Sequence, residues 1–336
     1  MVAIGVIGSG AWGTTLALLL ARQGMATTLW EHAPARARQM QEQHENTLFL
    51  PSFSFPETLQ VTASIADAVQ HKDLLLLVTP SQRLRENLRL LAPFLSKETI
   101  LVSASKGIET SSLKRMTEVI AEELPEAARR VAALSGPNLS REVAEGQPTA
   151  AVVAAYEHDV AVKARTVLST TTFRVYTSPD VVGVELGGAL KNIIAIAAGI
   201  SDGMGYGENA KAAITTRGLA EISRLGIAAG ANPLTFLGLA GIGDLIATCA
   251  SPLSRNQQLG RRLATSEKLQ DILRSTHTVA EGVTTTRAAL QLASHYEVEM
   301  PITKQLSLVL FQGLDPHEAL RELMLRNPKG ELEGIR

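Results

Sequence analysis

Cysteine is almost missing from this chain. Cys249 is the only one in 336 residues, so no disulfide closes within it, which suits a reducing compartment. The expected role of Cys249 is that of a small buried hydrophobe. Metal-ligand spacing is missing too. The seven histidines lie far apart, with no H-x-H or H-E-x-x-H pair, so no metal site is expected. There is no excess of either charge: the formal net charge is −1. Without a broad basic face, nucleic acid is not an expected partner. No apolar run reaches 18 residues, and no basic stretch precedes the apolar start at Val2. The expectation is a cytoplasmic protein with no integral membrane segment. Aromatics make up only 4%, which leaves the core to Ala, Leu, Ile and Val.

One stretch stands out, Gly183 to Gly207, GVELGGALKNIIAIAAGISDGMGYG. From Leu186 to Ile200 it reads as a helix apolar on every side, which has to be buried. Fifteen residues is short of the about 20 a bilayer span requires. The helix carries one cation inward, Lys191, followed by Asn192. A buried ammonium either finds partners or loses its proton. A lysine so placed trades a proton near neutral pH, as a general acid/base must. The plain alternative is a lysine whose stem snorkels to water. Gly187 and Gly188 weigh toward the first reading. Mid-helix glycines cost about 1 kcal/mol each against alanine, a cost met where a backbone or ligand comes close.

Before that helix the chain alternates. Val2 to Ile7 is a buried strand, Gly8-Ser9-Gly10-Ala11-Trp12-Gly13 a turn, Thr14 to Arg22 a helix, and Thr27 to Trp30 a second strand ending at Glu31. Strand, G-x-G-x-x-G, helix, strand and then an acid is the dinucleotide-binding fingerprint. Its first two glycines allow a tight turn and close approach of a pyrophosphate. The third packs helix on strand, and the helix N-terminus faces the negative charge. Further strands are expected at 73–78, 99–103, 131–134, 149–154 and 173–176, and a helix from Ser111 to Leu124. The fold class is therefore α/β, an N-terminal Rossmann-type doubly wound parallel sheet. After Pro179 only helical periods appear, so a C-terminal all-helical domain is expected. The boundary falls near residues 178–182, giving a dinucleotide-binding domain over 1–180 and a helical substrate domain over 181–336.

Ligands of such sheets bind beyond the carboxyl ends of the strands, where three polar turns fall: Thr79-Pro80-Ser81, Lys106-Gly107 and Gly136-Pro137-Asn138. Lys106 either meets an anionic ligand or is an ordinary loop lysine. Asp244, in the apolar glycine-rich GIGDL, needs a partner or caps a helix. Arg255, after Ser254 and before Asn256, either grips a phosphate with its planar fork or is a surface arginine at a helix start. Together these groups suit hydride transfer between a nicotinamide and a carbonyl beside an anionic group.

The stretches GSGAWGT, LVSASKG, LSGPN, GVELGGALKNIIAIAAGISDGMG, ITTRGLAEISRLG, GLAGIGDLIATC, SRNQQLG, VAEG and EMPIT stand in this order along the chain. In them the chain resembles the bacterial NAD(P)-dependent glycerol-3-phosphate dehydrogenases, over nearly its full length. The resemblance implies reduction of dihydroxyacetone phosphate to sn-glycerol 3-phosphate for glycerophospholipid synthesis, with NAD or NADP as cofactor and a homodimer as the assembly. It implies Lys191 as the acid/base. It carries nucleotide binding to Gly8, Gly10, Ala11, Trp12, Gly13, His32, Lys106, Ser140, Arg255, Val279 and Glu281. Substrate binding falls on Lys106, Gly136, Asn138, Lys191, Asp244, Ser254, Arg255 and Asn256. Asn138 and Ser140 depart from the family pattern, and Asn138 still donates a hydrogen bond. Glu31 favours the free ribose hydroxyl of NAD, while His32, Arg36 and Arg38 offset its charge. Two other readings remain beside it: a reductase of the β-hydroxyacid or 6-phosphogluconate dehydrogenase kind, and a non-enzymatic dinucleotide-binding redox sensor.

Overall fold

The computed structural model describes residues 2–265, 267–275, 280–328, 330 and 331. The chain divides into two compact units, residues 1–105 with 116–181, and residues 106–115 with 182–336.

The first unit is built on ten strands: β1 (Ala3–Ile7), β2 (Ala26–Trp30), β3 (Glu45–Asn46), β4 (Leu50–Ser54), β5 (Leu59–Thr62), β6 (Leu74–Leu77), β7 (Ile100–Ser103), β8 (Val131–Ser135), β9 (Thr149–Ala155) and β10 (Phe173–Ser178). Its helices are α1 (Ala11–Ala21), α2 (Pro34–Gln43), α3 (Ile65–Val69), α4 (Leu84–Leu91), α5 (Met116–Glu123), α6 (Ser140–Ala144) and α7 (His158–Leu168). Eight strands form one sheet in the order β10-β9-β8-β7-β6-β1-β2-β5. The chain leaves β1 toward β2 and β5, then returns to β6 on the other flank, so the end of β1 is the switch point where such sheets bind ligands. The four leucines of β6 show why the sheet is covered on both sides. Leu74 and Leu76 pack into one apolar cluster and Leu75 and Leu77 into the other. Alternation along a strand does the sorting.

Two features differ from the expected all-parallel sheet. Strands β1, β2, β5, β6, β7 and β8 are parallel, but β9 runs antiparallel to β8, and β10 follows β9. An antiparallel neighbour needs no long crossover, and only short α6 lies between β8 and β9. Strands β3 and β4 pair antiparallel in a small separate hairpin.

The second unit is helical: α8 (Val181–Gly203), α9 (Glu208–Ala228), α10 (Asp244–Ala250), α11 (Arg255–Ala264), α12 (Leu269–Arg274), α13 (Glu281–His295), α14 (Pro301–Gln312) and α15 (Pro316–Met324). Its core gathers on α8, where Leu186, Leu190, Ile193, Ile194 and Ile196 are buried. At 23 residues α8 is longer than expected and is both long and apolar enough to cross a membrane, which corrects the expectation that no such segment exists. In the fold, 83% of its most apolar window is covered by protein. Residues 106–115, expected in the sheet domain, belong to this unit. The helix expected from Ser111 accordingly starts only at Met116.

Candidate active site

In the first unit the sequence signal falls on the turn between β1 and α1. Gly8 has φ +115°, and a side chain there would meet the Val78 carbonyl oxygen at 2.6 Å. At Gly13 a Cβ would lie 1.9 Å from the Gly8 carbonyl oxygen, so helix and turn touch only because it is glycine. Gly10 is different: a Cβ there meets no protein atom within 4 Å. It heads α1, whose first turn has no capping side chain and no acid. The free N–H groups and the positive end of the helix thus face open space, as a pyrophosphate requires. The indole Nε1 of Trp12 is buried without a partner among the described residues. An unfilled space and an orphan donor at one turn fit a dinucleotide.

The turn is fastened from behind by residues that the fingerprint does not include. Asn46 donates from Nδ2 to the Ser9 carbonyl oxygen and to Thr14 Oγ1, each at 2.8 Å. Glu31, 1% exposed, accepts hydrogen bonds from Ser9 Oγ and, at 2.8 Å, from the Ala33 amide. It also pairs with Arg36, and with His32 Nδ1 at 3.0 Å. Its oxygens are committed inside the protein, which departs from the expected open acceptor for a ribose. Arg36 also donates to Ser9 Oγ at 2.8 Å. Acid and guanidinium therefore stand side by side at the end of β2, a set that does not exclude a 2′-phosphate. Ser140, at the start of α6, accepts a bond from Thr15 of α1 through its carbonyl at 3.0 Å. Gly136, with φ +133°, and Asn138 follow the carboxyl end of β8, the same edge as the glycine turn.

In the second unit the structure brings four of the candidates onto two adjoining clusters. Lys191 is 6% exposed and Asp244 1%. The Lys191 ammonium pairs with Asp244 Oδ1 and donates to Thr248 Oγ1 at 2.7 Å. Lys106 pairs with the other oxygen, Asp244 Oδ2, at 2.8 Å. Thr248, which no sequence signal marked, donates to the Asp244 main-chain carbonyl at 2.7 Å. It is one helical turn after Asp244 on α10, and that spacing is the signal that would have found it. Two ammonium groups thus share one carboxylate. Burial brings the Lys191 pKa down to about 7, and the Lys106 charge pushes the same way while Asp244 resists.

Gly187 explains how Asp244 arrives there. A Cβ at Gly187 would lie 2.4 Å from the Ala240 carbonyl oxygen. The backbone of Leu239–Gly243 presses on α8 at this point and leads directly into Asp244. The close approach inferred from this glycine is thus to a protein backbone.

Asn192 turns away from the Lys191 ammonium and accepts from Asn256 Nδ2 at 2.9 Å. Asn256 Oδ1 in turn accepts from the Gly282 amide at 3.1 Å. Ser254 caps α11, accepting from the Gln257 amide at 3.3 Å. Arg255 follows at the first position of that helix, exposed, and feels the charge of Glu281 at the start of α13. Lys191 and Asn192, adjacent on α8, tie the charged cluster to this amide line. Val279 lies outside the described residues.

Comparison with known proteins bears on what such a set does. Residues 3–161 match the family described as NAD-dependent glycerol-3-phosphate dehydrogenase N-terminus, and residues 180–321 the corresponding C-terminus. A glycerol-3-phosphate dehydrogenase (NAD(P)+) of Syntrophotalea carbinolica is 50% identical over 331 residues, covering 98% of this chain and 99% of the relative. The crystal structure of glycerol-3-phosphate dehydrogenase from Coxiella burnetii superposes with a TM-score of 0.92 at 37% identity, covering 96% of this chain and 99% of that one. A yeast glycerol-3-phosphate dehydrogenase, from Saccharomyces cerevisiae, superposes with a TM-score of 0.80 at 25% identity, covering 97% and 99%.

Proposed function

Because this chain belongs to the NAD-dependent glycerol-3-phosphate dehydrogenase family, we propose that it reduces dihydroxyacetone phosphate to sn-glycerol 3-phosphate with Lys191 as general acid/base. The observation that carries this reading is the buried Lys191 ammonium sharing the Asp244 carboxylate with Lys106. NADH or NADPH, when bound, supplies the hydride for the ketone carbon. Negative charge then develops on the ketone oxygen, and protonated Lys191 stabilises it and gives up its proton there. Asp244 keeps enough proton on Lys191 for this at neutral pH, while burial and Lys106 keep it releasable. In the reverse direction neutral Lys191 accepts the proton from the alcohol. Arg255 and Asn256, at the head of α11, are assigned to the substrate phosphate, where a planar guanidinium pairs with two oxygens. The Gly8–Gly13 turn, Trp12 and the Glu31–Arg36 pair are assigned to the nucleotide.

The β-hydroxyacid, 6-phosphogluconate and redox-sensor readings gain no support from a match that runs over 98% of the chain. The test is oxidation of NADH and of NADPH with dihydroxyacetone phosphate, for the wild type and for Lys191→Met. The variant is expected to keep nucleotide affinity and to lose kcat by a factor on the order of 10²–10⁴. Turnover near wild type would remove Lys191 from the chemistry. A cytoplasmic location and a homodimer belong to the same proposal. Exposed Leu234, Leu237 and Ile246 supply apolar surface for a second copy, and a monomer in sedimentation at micromolar concentration would remove that part.

A further inference from the structure

Residues 106–115 form a closed turn within the helical unit. Ile108 bridges Arg115 in antiparallel fashion. The Glu109 amide donates to the Lys114 carbonyl at 3.0 Å, and the Leu113 amide to the Glu109 carbonyl at 2.8 Å. Ile108 is fully buried in the helical core and Leu113 packs against it. Leu113 has φ 60°, a left-handed conformation that leucine rarely adopts. Such a conformation persists only where the surroundings impose it.

The constraint is visible at the end of the turn. Arg115 Nη1 donates to Glu185 Oε2 at 2.6 Å, with both residues buried. Glu185 stands on α8, less than two helical turns before Lys191. At the other end of the turn Lys106 reaches Asp244. The proposed chemistry uses Lys106, Lys191 and Asp244, and leaves Arg115 and Glu185 without a role. Stability is a weak reason to bury an ion pair, because apolar residues of the same volume do as well or better.

We propose that Arg115 and Glu185 are positioning residues, clamping the 106–115 turn onto α8 and so fixing where Lys106 stands against Asp244 and Lys191. This rests on the reading of Lys191 as the acid/base. One rigid helix then sets both the acid/base and the second ammonium, and their spacing no longer depends on a loop. The charged groups facing Lys191 are Asp244 on α10 and Lys106 on the turn, and the Cys249 thiol is near on α10. With the clamp in place, the charge of Lys106 helps Lys191 release its proton. With the clamp loosened, Lys106 moves toward water and Asp244 serves Lys191 alone, which then holds its proton to higher pH.

The experiment is a pH profile of dihydroxyacetone phosphate reduction for wild type, Glu185→Gln and Arg115→Lys. In Glu185→Gln, kcat is expected to fall about tenfold, as small displacements of catalytic groups do. KM for the nucleotide stays unchanged, and the alkaline limb moves to higher pH. Arg115→Lys keeps the charge but loses the fork, and shifts the limb in the same direction by less. Should Glu185→Gln not fold, Arg115→Lys carries the test. A folded variant with the wild-type kcat and the wild-type limb, losing only thermal stability, overturns the proposal. Loss of folding in both variants marks the pair as structural and overturns it equally. Lys191→Met separates the two readings. If it is inactive while the clamp variants keep the wild-type profile, only the clamp falls. If it stays active, the acid/base assignment falls first.

Discussion

At the scale of single residues, two lysines share one carboxylate. Asp244 offers Oδ1 to Lys191 and Oδ2 to Lys106, so with both lysines protonated these three side chains hold two positive charges and one negative. Such a site has two ways to relax: Lys191 gives up its proton, or an anion arrives. Both are what reduction of a ketone next to a phosphate demands. Asp244→Asn removes the carboxylate that holds the proton on Lys191 and leaves Lys106 pushing it off. The Lys191 pKa then falls, and the form that donates a proton becomes scarce at neutral pH. We expect kcat for ketone reduction to drop at least tenfold at pH 7 and its alkaline limb to move to lower pH, opposite to the shift expected for Glu185→Gln. A pH–rate profile of the purified variant measures this, and a limb that stays put would show that Asp244 does not set the Lys191 proton.

Among the elements, α8 and the Leu239–Gly243 backbone pressed against it set where Asp244 stands. Replacing Gly187 by alanine ought to stabilise a helix interior by about 1 kcal/mol. Here the new methyl meets the Ala240 carbonyl at 2.4 Å, and the obstacle is backbone that cannot rotate aside. The Leu239–Gly243 segment must then move, and Asp244 with it. Gly187→Ala is expected to lower the melting temperature and to reduce kcat more than nucleotide affinity. A raised melting temperature with normal turnover would mean that the contact is soft.

The same helix shows what could be read from residues alone. Its all-round apolar pattern announces burial, and the lysine within it is buried as well, 6% exposed. The strand–turn–helix around Gly8 is equally plain, because Gly8 and Gly13 answer local steric demands while Gly10 leaves space open. The 106–115 excursion was not legible. Residues 111–124 keep a helical pattern, and only the left-handed Leu113 and the burial of Ile108 in the other unit reveal the break. Asn46 and the committed state of Glu31 were hidden for a related reason. Both depend on Ser9, 37 and 22 residues away, and periodicity carries no information about such partners.

At the scale of the whole molecule, two buried ionisable groups give the stability a shape in pH. Glu221 on α9 is 1% exposed and accepts from the Thr303 amide at 3.2 Å and Thr303 Oγ1 at 3.0 Å, fastening the start of α14. Burial raises its pKa to about 7 against those hydrogen bonds. A carboxyl with a raised folded pKa contributes stability that is present below its ordinary value of 4.5 and is lost as pH rises through 7, because the folded state binds the extra proton. Lys191 behaves in the mirror sense. Its folded pKa is lowered from 10.5 to about 7, so between those values the unfolded chain holds the extra proton and stability rises with pH. These two contributions together are least favourable near pH 7. The expected consequence is read as a difference between proteins. Unfolding free energy measured by denaturant titration should fall less steeply from pH 5 to 7 in Glu221→Gln than in the wild type, and rise less steeply from pH 7 to 9 in Lys191→Met. If both variants track the wild type across the whole range, neither group pays for its burial in protons, and the poised ammonium at the centre of the proposed mechanism has no thermodynamic counterpart.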